Sequence, residues 1–237
     1  MTRAIFFDLD DTLCNAQTAF RAGRVVAFNA LLAERPDLDA ARLLATWEDV
    51  HTVLFAALDA GAMTMAEVRR ERFRRTLRIL DLADDALADR VDLILGETQL
   101  RHLRLFPDAT VLETLRERMP VGVITNGAGD AHPDSQRSKA SHLDLLDRVD
   151  SFWVSDETGF RKPDARAFQP ALASVGLAPT ACVYVGDSIA TDVAGAVAAG
   201  MRAALIWRDT TQDMPARING APDIAVIRSL LDLLDIM

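Results

Sequence analysis

The chain contains only two cysteines in 237 residues, Cys14 and Cys182, which provide neither a disulfide framework nor a metal-thiolate spacing. Its stability is expected to come from a buried core in a reduced, cytoplasmic setting. No apolar stretch approaches the roughly 20 residues that cross a bilayer. Met1-Thr2-Arg3 leads directly into a strand-like run, without the pattern of a signal peptide. Positive charge is also scarce: 26 Lys and Arg stand against 35 Asp and Glu, a formal net charge of −9. Nucleic acids and anionic membranes favour broad basic surfaces, so neither is expected as a partner. His51, His102, His132 and His142 lack paired metal-ligand spacing and read as surface or ordinary helix residues, His132 least firmly because it follows the Thr125 loop. There is no internal repeat and no low-complexity tract.

What is present is apolar: half of the residues are hydrophobic, enough for one α/β domain and a smaller inserted one. Ala4-Ile5-Phe6-Phe7 reads as a buried strand. After Leu13, about ninety residues carry apolar positions at the helical period. Phe28, Leu31 and Leu32 share one face, as do Trp47, Val50, Leu54 and Leu58, then Phe73, Leu77 and Leu80, then Val91, Ile94 and Leu95. Turn residues or N-cap candidates fall near Arg35-Pro36-Asp37, Gly61-Ala62-Met63-Thr64 and Leu82-Ala83-Asp84-Asp85, which predicts four helices. From Phe106 onward helices alternate with short apolar runs, a rhythm that implies a parallel sheet with right-handed crossovers. The expected architecture is therefore α/β: a Rossmann-like core of 1–14 and 104–237, with an inserted four-helix domain over 15–103.

The polar residues of interest follow three of the apolar runs. Asp8 and Asp10 come after Ala4-Ile5-Phe6-Phe7, Thr125-Asn126-Gly127 after Val121-Gly122-Val123-Ile124, and Asp187 after Cys182-Val183-Tyr184-Val185-Gly186. Each would stand at the carboxyl end of a buried parallel strand, where open α/β sheets hold ligands. Alone, such a segment is usually a turn or a helix cap, and a lysine such as Lys162 before Pro163 is usually a solvated surface residue. Together they place carboxylates, an amine and a hydroxyl in one region, a set suited to phosphoryl transfer.

In this order and spacing, Asp8-Leu9-Asp10-Asp11-Thr12-Leu13, Thr125-Asn126-Gly127, Phe160-Arg161-Lys162-Pro163-Asp164 and Gly186-Asp187-Ser188-Ile189-Ala190-Thr191-Asp192 resemble the haloacid dehalogenase superfamily, in its phosphatase branch with a helical cap after the first motif. The resemblance implies Asp8 as the nucleophile and Asp10 as the acid and base that serves the leaving group and water. It implies Mg²⁺ held by the Asp8 and Asp187 side chains and the Asp10 main-chain carbonyl. Thr125, the amides of Asn126 and Gly127, and Lys162 would hold the phosphate, with Asp192 orienting Lys162 or a metal-bound water. The expected partner is a small phosphorylated metabolite, and the expected protein a monomer or homodimer. A phosphosugar mutase needs the same core residues. A dehalogenase is disfavoured because it lacks the second acidic residue of the first motif. A non-catalytic binding protein is disfavoured because the site is complete. Arg69-Arg70-Glu71-Arg72-Phe73-Arg74-Arg75 reads most simply as the solvated face of a helix, and Trp47, Phe55 and Met65 as core.

Overall fold

Six short strands, nearly all of them buried, build the sheet that carries the site. The computed structural model describes residues 2–208, 211, 213 and 224–236. The strands are β1 (Ala4–Phe7), β2 (Val121–Thr125), β3 (Ser151–Val154), β4 (Cys182–Gly186), β5 (Arg202–Ile206) and β6 (Ala225–Ile227). They pair in the order β3-β2-β1-β4-β5-β6, and every pair is parallel. This is a Rossmann-like α/β sheet, and its strand order reverses between β1 and β4. Ligands of open sheets bind at the carboxyl edge of such a point, where Asp8 and Asp187 emerge.

Two compact units divide the chain. The first comprises Met1–Ala16, Arg104–Gly129 and Ala140–Met237, and the second Gln17–Leu103 and Asp130–Lys139. The expected division ran through 15–103 alone; the segment 130–139 carries no helical periodicity that would link it to the helices in the sequence.

In the second unit, α1 (Ala16–Glu34), α2 (Ala40–Asp59), α3 (Met65–Ile79) and α4 (Asp85–His102) match the four apolar stripes. Their starts are chemically marked. Asp39 accepts from the Arg42 amide, Asp84 from the Leu87 amide, and Thr64 forms a reciprocal capping box with Glu67. The stripes meet in a core that includes Leu31, Leu43, Trp47, Phe73, Leu77, Val91 and Leu95. No helix among the described residues is long and apolar enough to cross a membrane.

In the first unit the α-helices are α5 (Val111–Arg116), α6 (Gln136–His142), α7 (Ser155–Thr158), α8 (Gln169–Val175), α9 (Ala194–Ala198) and, after the last strand, α10 (Leu233–Ile236); α6 begins in the second unit. Phe6, Phe168, Tyr184, Ala196 and Leu205 are among the residues that fill one face of the sheet. Two local details depart from the sequence reading. The helical segment after β4 opens with a π turn, Ile189–Val193, which carries Asp192 and leads into α9. The short α7 directly after β3 had no periodic signal, since four residues are too few to show one.

Candidate active site

Asp8 leaves β1 with its amide donating to the Val185 carbonyl at 2.9 Å, so the β1–β4 ladder extends to the nucleophile candidate itself. The chain then turns sharply. Asp11 adopts φ 55°, its amide donates to Cys14 O at 2.8 Å, and Leu13 and Cys14 both return to Leu9 O. Aspartate tolerates this left-handed conformation better than most side chains. The turn brings the Thr12 hydroxyl to within 3.5 Å of Asp187 Oδ1. On the far side of this loop, Arg208 donates to the Thr12 carbonyl at 2.6 Å and pairs with Asp108 at 2.7 Å.

Lys162 lies at the centre of the group, buried to 4 % exposure. Its ammonium donates to Asp8 Oδ1, Asp192 Oδ1 and the Tyr184 hydroxyl, each at 2.7 Å. Its main chain is held as tightly: Asn126 donates to Lys162 O and accepts from Lys162 N, both at 2.9 Å. The peptide between Lys162 and Pro163 is cis. Gly127, at φ 153°, donates its amide to Ser155 Oγ, so the first turn of α7 supports the Thr125 loop.

Two glycines set close approaches. A Cβ on Gly186 would stand 2.4 Å from the Asp192 carboxylate, and one on Gly195 would stand 2.8 Å from the Phe168 ring and 3.0 Å from Pro163 Cα. The π turn and the bare Gly186 together let Asp192 fold back, with Oδ1 on Lys162 and Oδ2 accepting from the Ser188 amide at 3.0 Å.

Negative charge exceeds positive charge here. Ligand oxygens of Asp8, Asp187 and Asp192 all lie within 4.8 Å of one another. Burial, reinforced by Asp192 and Asp10 and opposed by Lys162, raises Asp8 to about 7. Burial, with Asp8, Asp192 and Asp11 nearby, raises Asp187 to about 8. Burial alone would lower Lys162; Asp8 and Asp192 more than offset it and keep the ammonium charged. Hard oxygen donors that resist ionisation because of burial, and then because of one another, fit Mg²⁺. Both Asp192 oxygens already accept protein hydrogens, so Asp8 and Asp187 are the better-suited side-chain ligands, and Asp192 is an orienter of Lys162. The Thr125 hydroxyl is buried, with no hydrogen-bond partner among the described residues. A hydroxyl enclosed in this way costs about 1–3 kcal/mol unless something accepts from it.

The structure thus brings Asp8, Lys162, Asn126, Gly127, Asp187 and Asp192 to one edge of the sheet, with Thr125 ending β2. Tyr184, Ser155 and Gly186 were missed as site residues. Tyr184 sat unnoticed inside an apolar run, although a phenol at a buried strand position is itself a signal that its hydroxyl has a partner.

The arginine run requires a correction. Arg69 and Arg72 are not solvated: they are 5 % and 2 % exposed. Arg72 donates to Asp92 at 2.5 Å and Asp134 at 3.1 Å, and Arg69 pairs with Asp130. Only part of the run behaves as expected, as in the exposed i,i+4 pair of Arg75 with Glu71. His51 is not a plain surface residue either. It stacks between Trp47 and Phe55, and burial, with Arg72 and Arg24 nearby, lowers it to about 4. His132 joins the second unit, its Nε2 3.2 Å from Asp92.

These motifs and this sheet define a known class. A model of the haloacid dehalogenase-like hydrolases matches residues 2–200, and the chain belongs to that family. Over 246 residues it is 27 % identical to the glyceraldehyde 3-phosphate phosphatase of Methanothermobacter thermautotrophicus, covering 100 % of each chain. It is 29 % identical to the phosphoserine phosphatase of Thermus thermophilus, over 94 % of this chain and 95 % of that one. Among solved structures, a 2-haloacid dehalogenase from Pseudomonas syringae pv. Tomato aligns with a TM-score of 0.75 at 27 % identity, over 100 % of this chain and 98 % of that one.

Proposed function

We propose that the protein is a Mg²⁺-dependent phosphomonoester hydrolase that acts on a small phosphorylated metabolite through an aspartyl-phosphate on Asp8. The observation that carries this reading is the buried Lys162 ammonium, held between Asp8 and Asp192 in a cluster with an excess of carboxylates. Phosphatases among the relatives support the same chemistry.

An Asp8 oxygen attacks phosphorus and the ester P–O bond breaks. Asp10 gives its proton to the departing alkoxide. Asp10 then takes a proton from water as that water attacks phosphorus, and the P–O bond to Asp8 breaks to release phosphate. Lys162, the Thr125 hydroxyl and the Asn126 amide offer hydrogens to the phosphoryl oxygens; the Gly127 amide, expected to join them, donates instead to Ser155 Oγ. Asp8, Asp187 and the Asp10 carbonyl would hold Mg²⁺, which would supply charge neutralisation to the phosphoryl group. The helices of 17–103 act as the cap that selects the leaving group, and the enzyme works in the cytoplasm, where the buried thiols of Cys14 and Cys182 stay reduced.

Asp10 separates this reading from the dehalogenase suggested by the structural relative, because a departing halide needs no proton. The test is a panel of phosphomonoesters and 2-haloacids assayed with purified protein and Mg²⁺. Turnover of 2-haloacids without release of phosphate from any ester would reject the proposal, as would full phosphatase activity after exhaustive chelation.

A further inference from the structure

Tyr184 is the chain's single tyrosine. It occupies the middle of β4, where a parallel strand ordinarily holds an aliphatic side chain. Its ring is fully buried and packs edge-on against Phe168, 5.1 Å between centroids. The hydroxyl lies 2.7 Å from the Ile124 carbonyl oxygen and 2.7 Å from Lys162 Nζ. A carbonyl only accepts and a phenol has one proton to give, so the proton goes to Ile124 and the ammonium donates to the phenol oxygen. Burial, and the carboxylates of Asp192 and Asp8, hold the phenol well above its ordinary value, so the proton stays.

An ammonium has three hydrogens, and Asp8, Asp192 and Tyr184 accept one each. In the reaction proposed above, Asp8 turns its oxygen to phosphorus, which leaves two acceptors to hold the ammonium. Asp192 holds it by charge. Tyr184 holds it through a neutral oxygen, which adds direction without adding negative charge opposite a phosphate dianion. We propose that Tyr184 is a positioning residue that aims Lys162 and joins it to Ile124, the residue before Thr125, so that two phosphate-facing donors are set by one hydrogen-bonded relay.

This inference rests on the phosphoryl-transfer reading, and three variants assayed with Mg²⁺ separate the two. Tyr184→Phe removes one oxygen from the relay. Phe168→Leu loosens the same ring without touching the relay, and Lys162→Met tests the underlying reading. Tyr184→Phe should lower kcat about tenfold, the effect of one aimed hydrogen bond, with KM changed by less than about twofold. Phe168→Leu should keep kcat within about twofold even where its Tm falls further. Wild-type kcat in folded Tyr184→Phe, or an equal loss in Phe168→Leu, overturns the positioning role. Full activity in Lys162→Met overturns the reaction itself.

Because the chain has one tyrosine, biosynthetic 3-fluorotyrosine places a single ¹⁹F label at this site whether or not the Phe variant folds. Its resonance should shift in Lys162→Met and when inorganic phosphate is added with Mg²⁺. A resonance indifferent to both would also overturn the relay.

Discussion

Two buried charge clusters, one in each unit, use the same residue types to opposite ends. In the helical unit the buried Arg69, Arg72 and Lys139 stand with Asp92, Asp134 and the exposed Asp130, cation for carboxylate. Burial there would raise Asp134, yet Arg72, Lys139, Arg69 and His132 hold it below its ordinary value. At the sheet edge one lysine stands among Asp8, Asp187 and Asp192, and burial with mutual repulsion raises Asp8 and Asp187 instead. A balanced cluster holds helices together; an unbalanced one has carboxylate oxygens left over for a cation, the role proposed for it here. Counting charges within a cluster, rather than over the chain, distinguishes structure from chemistry. The net charge of −9 carries no such information.

The sharpest break in this contrast is Asp8→Asn, which keeps shape and removes the proposed nucleophile. Its kcat should fall on the order of 10³-fold or more while thermal stability holds or rises, because a repelling charge has gone. Steady-state kinetics with parallel calorimetry checks both.

Arg72→Met makes the converse change in the helical unit, leaving Asp92 and Asp134 buried without their cation. A loss of about 3–5 kcal/mol is expected in denaturant unfolding, and most of it should return when Asp92→Asn and Asp134→Asn are added. If the single variant costs under about 1 kcal/mol, the cluster is not structural.

The two regions should also respond to pH in opposite directions. A carboxyl whose folded value lies above its unfolded value stabilises fully below the unfolded value and loses that contribution as pH rises through the folded one. For Asp8 and Asp187 this window runs from about 4, the unfolded value, to about 7 and 8. Asp134, held low, stabilises above its unfolded value and loses its contribution as pH falls below about 4. Mg²⁺ at a hundredfold excess over its Kd should therefore add about 2.7 kcal/mol at pH 8 and far less at pH 5, since protonated carboxyls bind it poorly. Hydrogen exchange resolved by segment, with and without Mg²⁺, would show whether that protection falls on β1 and β4, as expected, or on α3 and α4.

The smallest expected change is Gly186→Ala, which presses a methyl group on the Asp192 carboxylate at a cost of about 1–3 kcal/mol. It should lower kcat through Lys162 and leave the pH response of the helical unit unchanged.

Much of this contrast could be read in the sequence, but unevenly. Asp8, Lys162 and Asp187 could be found because each follows a strong apolar run or precedes a proline in a fixed order, and the four helices because 3.6-residue stripes persist for many turns. Arg72 was misread because a run of arginines looks solvated until its partners are known. Two of these, Asp130 and Asp134, lie about sixty residues further on, in a segment with no period of its own. Tyr184 was overlooked for a related reason: a strand pattern reports which face is buried and says nothing about what a hydroxyl on that face meets. The π turn at Ile189–Val193 left no trace because its small residues suit an α-helix equally well.

The parallel register has a consequence for biosynthesis. Ile5 pairs with Val121 on one side and Val183 on the other. β1 leaves the ribosome more than a hundred residues ahead of β2 and further still ahead of β4, which is the slow, non-local kind of pairing. The helices of 17–103 can gather in the meantime, but Arg69 and Arg72 must wait for Asp130 and Asp134. No nascent chain that stops before β4 can set Asp8, Lys162 and Tyr184 together.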